Sequence, residues 1–170
     1  VFANNYQNIN QKKISIIGTS RYDNYFITRK QKLKSHFNFD YILFAEGFGI
    51  QEDLNLFFTI IDAELEKIKK LISLKLVYRP HPWRKDQKNI DIKKFKNIVL
   101  DPQMKYYYEN KLSNTSIQPD LNYYPSLMKN ASFIIAAPST MVIESTIFWK
   151  PIILLAHDHS SKLGNFSYLK

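Results

Sequence analysis

The sequence predicts an α/β domain built on a doubly wound, Rossmann-like parallel sheet. Short continuous apolar runs alternate with helical patterns. The runs are unbroken rather than alternating, as strands covered on both faces require. The chain of 170 residues is 45% hydrophobic, enough for one domain with a core of its own.

The first dozen residues, rich in Asn and Gln, read as a tail or a cut end. Lys13-Ile14-Ser15-Ile16-Ile17-Gly18 reads as a short buried strand closed by glycine. Residues 21–38 are basic and aromatic, a connector or a short helix. Tyr41–Ala45 is a second buried strand, and Glu46-Gly47-Phe48-Gly49 is the loop after it. From Gln51 to about Leu71 apolar residues recur at 54, 57, 58, 61, 65, 68, 71 and 72, the stripe of an amphipathic helix. Glu52 and Asp53 at its start and Lys67, Lys69 and Lys70 at its end complement the helix dipole.

Leu74–Tyr78 is the next strand, stopped by Arg79-Pro80-His81-Pro82, and Ile98-Val99-Leu100 follows the Lys-rich segment 85–96. Tyr123–Lys129 reads as a helix with Pro125 in its first turn, where proline is tolerated. Phe133–Ala137 is a strand, Ser139–Trp149 a helix and Pro151–Leu155 a last strand.

Composition excludes several function classes. With no cysteine, disulfide scaffolds, thiolate metal sites and cysteine nucleophiles are out. No apolar run approaches the roughly 18 residues of a membrane span. The net charge of +9 comes mostly from lysine and is spread along the chain. Such a surface is either plainly solvated or drawn to polyanions, nucleotides or an anionic membrane face. Arginine forks and a docking motif for nucleic acid are absent, so no nucleic-acid partner is expected.

Ligands of a doubly wound sheet lie at the carboxyl ends of its strands. Three loops there carry suitable chemistry for a phosphate-bearing ligand. In Arg79-Pro80-His81-Pro82-Trp83-Arg84 the prolines hold His81 rigidly, and Arg79 or Arg84 would assist it on a phosphate oxygen; an incidental histidine in a proline-rich turn is the alternative. In Pro138-Ser139-Thr140 the start of a helix exposes backbone N–H groups to an anion, with plain N-capping as the alternative. Glu144 lies one turn beyond Thr140, outside capping-box spacing, and could accept from ribose hydroxyls or sit solvated at the surface. In the third loop Gly47 and Gly49 would let backbone approach a ligand, although a tight turn reads equally well.

His157-Asp158-His159 lacks a third metal ligand by spacing and reads as a polar loop, so no metal site is expected. Tyr106-Tyr107-Tyr108 and Tyr123-Tyr124 could stack on a base or sugar, with ordinary packing as the default. There is no G-x-S-x-G elbow.

The order strand–Arg79-Pro80-His81-Pro82, then Asp120 with Tyr124-Pro125-Ser126-Leu127-Met128-Lys129-Asn130-Ala131, then Pro138-Ser139-Thr140, Glu144 and Lys150-Pro151, resembles the nucleotide-binding half of GT-B glycosyltransferases. It is most similar to the bacterial surface-polysaccharide branch: capsule Kdo transferases, polysialyltransferases and CDP-glycerol glycerophosphotransferase-like enzymes. The resemblance covers residues 74–156. It implies that His81-Pro82 and Ser139-Thr140 bind the phosphates of a CMP- or CDP-linked donor, that Glu144 holds the ribose, and that transfer needs no metal or other cofactor. Gly18-Thr19-Ser20-Arg21-Tyr22-Asp23 is similar to the G-x-P-R-x-D end of the amino-terminal domain in the glycerophosphate polymerases, with Ser20 in place of proline.

A GT-B enzyme needs two such domains facing a cleft. The expectation is therefore one half of a longer protein, inactive alone and lacking its amino-terminal acceptor-binding domain. Residues 1–38 would be tail and interdomain connector, and 39–170 the nucleotide-sugar-binding domain. The expected location is cytoplasmic, peripheral at the inner membrane face. A UDP-sugar 2-epimerase-like domain and a non-catalytic basic module docking anionic membrane or polysaccharide are the alternatives.

Overall fold

A computed structural model describes residue 15 and residues 18–47, 54–68, 73–81, 90–109 and 122–155. Five parallel strands form one sheet: β1 (Tyr41–Ala45), β2 (Lys75–Arg79), β3 (Ile98–Leu100), β4 (Ile134–Ala136) and β5 (Ile152–Leu154). Their spatial order is β3-β2-β1-β4-β5, the doubly wound arrangement. The helices are α1 (Asp23–Arg29), α2 (Leu54–Lys67), α3 (Pro102–Glu109), α4 (Tyr123–Asn130) and α5 (Thr140–Ile147).

Burial follows strand position. Every residue of central β1 is buried, whereas edge strand β5 leaves Ile153 and Leu154 largely exposed. Because successive strand residues point to opposite faces, β1 divides its side chains between two cores. Tyr41, Leu43 and Ala45 join Tyr25 of α1, Leu127 and Met128 of α4, and Ile147 of α5. Ile42 and Phe44 join Leu54, Phe58 and Leu65 of α2 on the opposite face. Phe58 meets Phe44 and Tyr78 edge-on at centroid distances of 6.0 and 4.9 Å, an arrangement aromatic quadrupoles favour.

Element boundaries move for local reasons. The long helix runs from Leu54 to Lys67, with Leu54, Phe58 and Leu65 as its buried stripe; Glu52, Asp53, Lys69 and Lys70 lie outside the described residues. The helix expected from Ser139 to Trp149 is shorter, because Ser139 is extended (φ −153°, ψ 173°) and the chain turns after Ile147. Trp149 N–H bonds Thr146 O and Lys150 N–H bonds Ser145 O, a Schellman ending with Trp149 at φ 56°. Apart from Ser15 and Gly18, the strand expected at Lys13–Gly18 lies outside the described residues.

Helix α3 was not expected from sequence. Pro102 occupies its first position, and Asp101 Oδ1 accepts from Gln103 N–H at 3.0 Å, a side-chain N-cap. The basic segment before β1 holds α1, which packs against α4 and α5. Lys129 Nζ donates to the carbonyls of Thr28 (3.2 Å), Arg29 (2.7 Å) and Gln31, satisfying the open carboxyl end of α1.

Candidate functional site

The register sets Ala45 level with Arg79 on one side and Ala136 on the other. The strands are parallel, so Glu46-Gly47, Pro80-His81 and Ala137-Pro138-Ser139 all leave the same edge. With β1 between them, β2 and β4 stand about 10 Å apart. The strand order reverses between β1 and β4, and doubly wound sheets bind ligands outside the carboxyl ends at such a reversal.

On the β2 side, His81 is half-buried. Its backbone N–H donates to Glu46 Oε2 at 3.4 Å, and Tyr78 Oη donates to the same oxygen at 2.6 Å. Glu46 N–H in turn bonds Arg79 O at 3.0 Å. The buried carboxylate of Glu46 thereby ties the end of β1 to the loop after β2. Burial lowers the His81 pKa, favouring the neutral imidazole, which carries one N–H donor and one acceptor. Pro82 and Arg84 lie outside the described residues.

Arg79 requires a correction. It shares the face of Val77, two residues earlier, and its side chain enters the helix layer instead of the loop. The guanidinium donates to the fully buried Asp101, to Gln103 Oε1 at 2.7 Å and to Tyr124 Oη at 2.6 Å, and stacks on the Tyr124 ring at 4.3 Å. Burial pulls its pKa down, but Asp101 and Tyr124 outweigh that and the net direction is up. Tyr123 Oη donates to Asp101 at 2.6 Å. Arg79 is thus one member of a satisfied buried network that also engages Tyr123 and Tyr124, the pair offered from sequence for base stacking.

On the β4 side, Ser139 precedes α5 but its side chain makes no capping hydrogen bond. Thr140 is the first helical residue and is exposed, its Oγ1 accepting from Arg21 at 3.1 Å. Glu144 is no solvated surface residue: it is buried and pairs with Arg21 at 3.3 Å. Burial raises its pKa, against the opposing pull of Arg21 and a hydrogen bond with Tyr25. A ribose approaching Glu144 would meet a carboxylate already shared between Arg21 and Tyr25. Arg21 comes from a single turn, Ser20–Tyr22, whose start is capped by Thr19 Oγ1 accepting from Arg21 N–H at 3.3 Å.

Gly47 is buried at the end of β1, while Gly49 and His157-Asp158-His159 lie outside the described residues. Among the described residues no three His, Asp or Glu side chains cluster as metal ligands would. Sequence reasoning passed over Glu46 and Asp101 in this edge and its supports, and the pairing of Arg21. Glu46 carried a signal, a lone acid ending an apolar strand just before glycine. Asp101 carried another, an Asp-Pro step after a strand. Arg21 stood in the likeness of residues 18–23 to the G-x-P-R-x-D pattern, but its partners lie more than a hundred residues away and no local spacing paired it with Glu144. Compared with known proteins, the chain matches no family model, no curated protein and no solved structure.

Proposed function

We propose that this domain binds the nucleotide-activated donor of a GT-B-type glycosyltransferase acting in bacterial surface-polysaccharide synthesis, the donor being CMP- or CDP-linked. The observation that supports the reading is positional: the proline-flanked His81 and the amino end of α5 flank β1 at the edge where the strand order reverses. A pyrophosphate between them would take an imidazole N–H from one side and open backbone N–H groups from the other. As the bond to the sugar breaks, negative charge grows on the leaving phosphate, and donors already aimed there stabilise it without reorganising. Glu46 would hold the His81 backbone in place for that role. Arg79 would support the sheet end and make no contact with the donor.

The location that goes with this reading is cytoplasmic, peripheral at the inner membrane face. Among the described residues no helix is long and apolar enough to cross a membrane, and the +9 charge would draw the protein to an anionic surface. Titration calorimetry with CMP, CDP and UDP tests the donor reading. The expected result is mononucleotide binding that His81→Ala weakens and the Ser139→Ala/Thr140→Ala double variant weakens further. No binding by the wild type, or equal binding by the variants, overturns it.

A further inference from the structure

Trp149 breaks a local rule. It occupies the position after α5 where the backbone turns left-handed, at φ 56°, and where glycine is the favoured residue. An L side chain there is strained, a large aromatic one especially. Nothing in the core rewards the choice, since Trp149 is 76% exposed. Its described contact is the Arg29 guanidinium, 4.8 Å from the ring centroid. Phe26 stands one helical turn before Arg29, 55% exposed, and Ile27 beside it is 63% exposed.

Cations surround these apolar groups. Arg29, Lys30 and Lys32 close the α1 end, Lys150 follows Trp149, and Lys129 reaches the last carbonyls of α1. The acidic residue of α1, Asp23, lies at its other end, and Glu144 of α5 is buried. We propose that this face, Trp149 with Phe26, Ile27, Arg29 and Lys30, is the surface by which the protein docks on an anionic lipid bilayer. Indole rings favour the headgroup level, and basic side chains beside them are drawn to acidic lipids. Charge decides against a second copy of the chain as the occupant, because two molecules of +9 would bring like charges together.

The inference rests on the peripheral location proposed above, not on the donor site. Helix α5 separates the two: its amino end follows the carboxyl end of β4, and Trp149 lies past its own carboxyl end. Bilayer docking through Trp149 would leave the carboxyl ends of the strands open to soluble nucleotide.

Vesicle co-sedimentation of the full chain tests the proposal. The wild type should bind phosphatidylcholine vesicles containing about one-third phosphatidylglycerol, release in high salt, and ignore pure phosphatidylcholine. Trp149→Gly relieves the left-handed strain, so it should melt no lower than wild type while losing binding. Phe26→Ser is the second probe should Trp149→Gly melt lower. Arg29→Gln with Lys30→Gln should weaken binding about fivefold per cation. Lys93→Gln with Lys94→Gln, on the turn before β3, should leave it unchanged. Wild-type indifference to the acidic vesicles overturns the proposal, as does binding that survives both Trp149→Gly and Phe26→Ser. A dimer in sedimentation velocity that Trp149→Gly dissolves would assign the face to self-association instead. Nucleotide calorimetry on Trp149→Gly keeps a failure here distinct from a failure of the donor site.

Discussion

Replacing Arg79 by methionine separates a buried structural pair from a ligand contact. Arg79 and Asp101 are 3% and 0% exposed, so neither charge can turn to water when its partner is removed. In Arg79→Met the carboxylate of Asp101 keeps the Tyr123 hydroxyl and the Gln103 N–H but loses its counter-charge. Leaving one member of a buried pair uncompensated costs about 3–5 kcal/mol. For a chain of this size, at about 2–4 °C per kcal/mol, the melting temperature should fall by roughly 6–20 °C. Urea denaturation at neutral pH, followed by far-ultraviolet circular dichroism, gives the cost directly. Arg79→Met combined with Asp101→Leu should recover most of the loss, because two apolar groups need no partners. Recovery should stop at least about 1 kcal/mol short, since Asp101 also caps α3 and accepts from the Tyr123 hydroxyl. A loss below about 1 kcal/mol in Arg79→Met, accompanied by weaker nucleotide binding, would refute this reasoning and return Arg79 to the ligand site.

Ser139→Ala should lower stability by less than about 0.5 kcal/mol in urea, against the usual ~1 for a capping serine, because the hydroxyl does not cap α5. Any larger effect of that variant should therefore appear in nucleotide affinity. Glu144→Gln should change how stability depends on pH. Burial raises the Glu144 pKa in the fold, so the protonated form is favoured there and its contribution fades as pH rises through and above the ordinary carboxylate value of about 4.3. Glutamine does not titrate, so the urea midpoint of the variant should gain on that of wild type between about pH 4 and 7. A midpoint difference independent of pH, or one moving the opposite way, removes burial as the dominant influence on Glu144.

The sheet was readable because a doubly wound core leaves a coarse imprint. Tyr41–Ala45 and Ile98–Leu100 match the expected bounds, and the other three described strands shift or shorten by a residue at each end. Pro125 sits in the first turn of its helix as proline chemistry requires. Helix α3 was hidden because its Gln, Lys and Tyr residues carry a weak apolar stripe, although the Asp101-Pro102 start was visible. The site was less legible than the sheet. Which strand ends share an edge follows from parallel pairing, so the loops at His81 and Ser139 could be associated. The facing of Arg79 also followed, in principle, from its distance of two residues from the buried Val77. Proximity to His81 in sequence masked that alternation.

Charge composition carried a distinction that only the structure makes physical. Of 24 basic residues, the arginines are few, and each described one has a defined partner. Arg21 joins Thr140 and Glu144, Arg29 covers the Trp149 ring, and Arg79 enters the buried network with Asp101. A planar guanidinium with several fixed donors can bridge, stack and be buried, whereas an ammonium group is strongly hydrated and belongs at the surface. Lys129 is the instructive exception, because three carbonyls at one helix end replace its hydration. The lysines therefore set the long-range field that would concentrate anionic ligands or lipids, while the arginines tie residues 21–29 and the end of β2 to the domain. Charge density points to the class of partner; arginine placement determines which surfaces stay open to receive it.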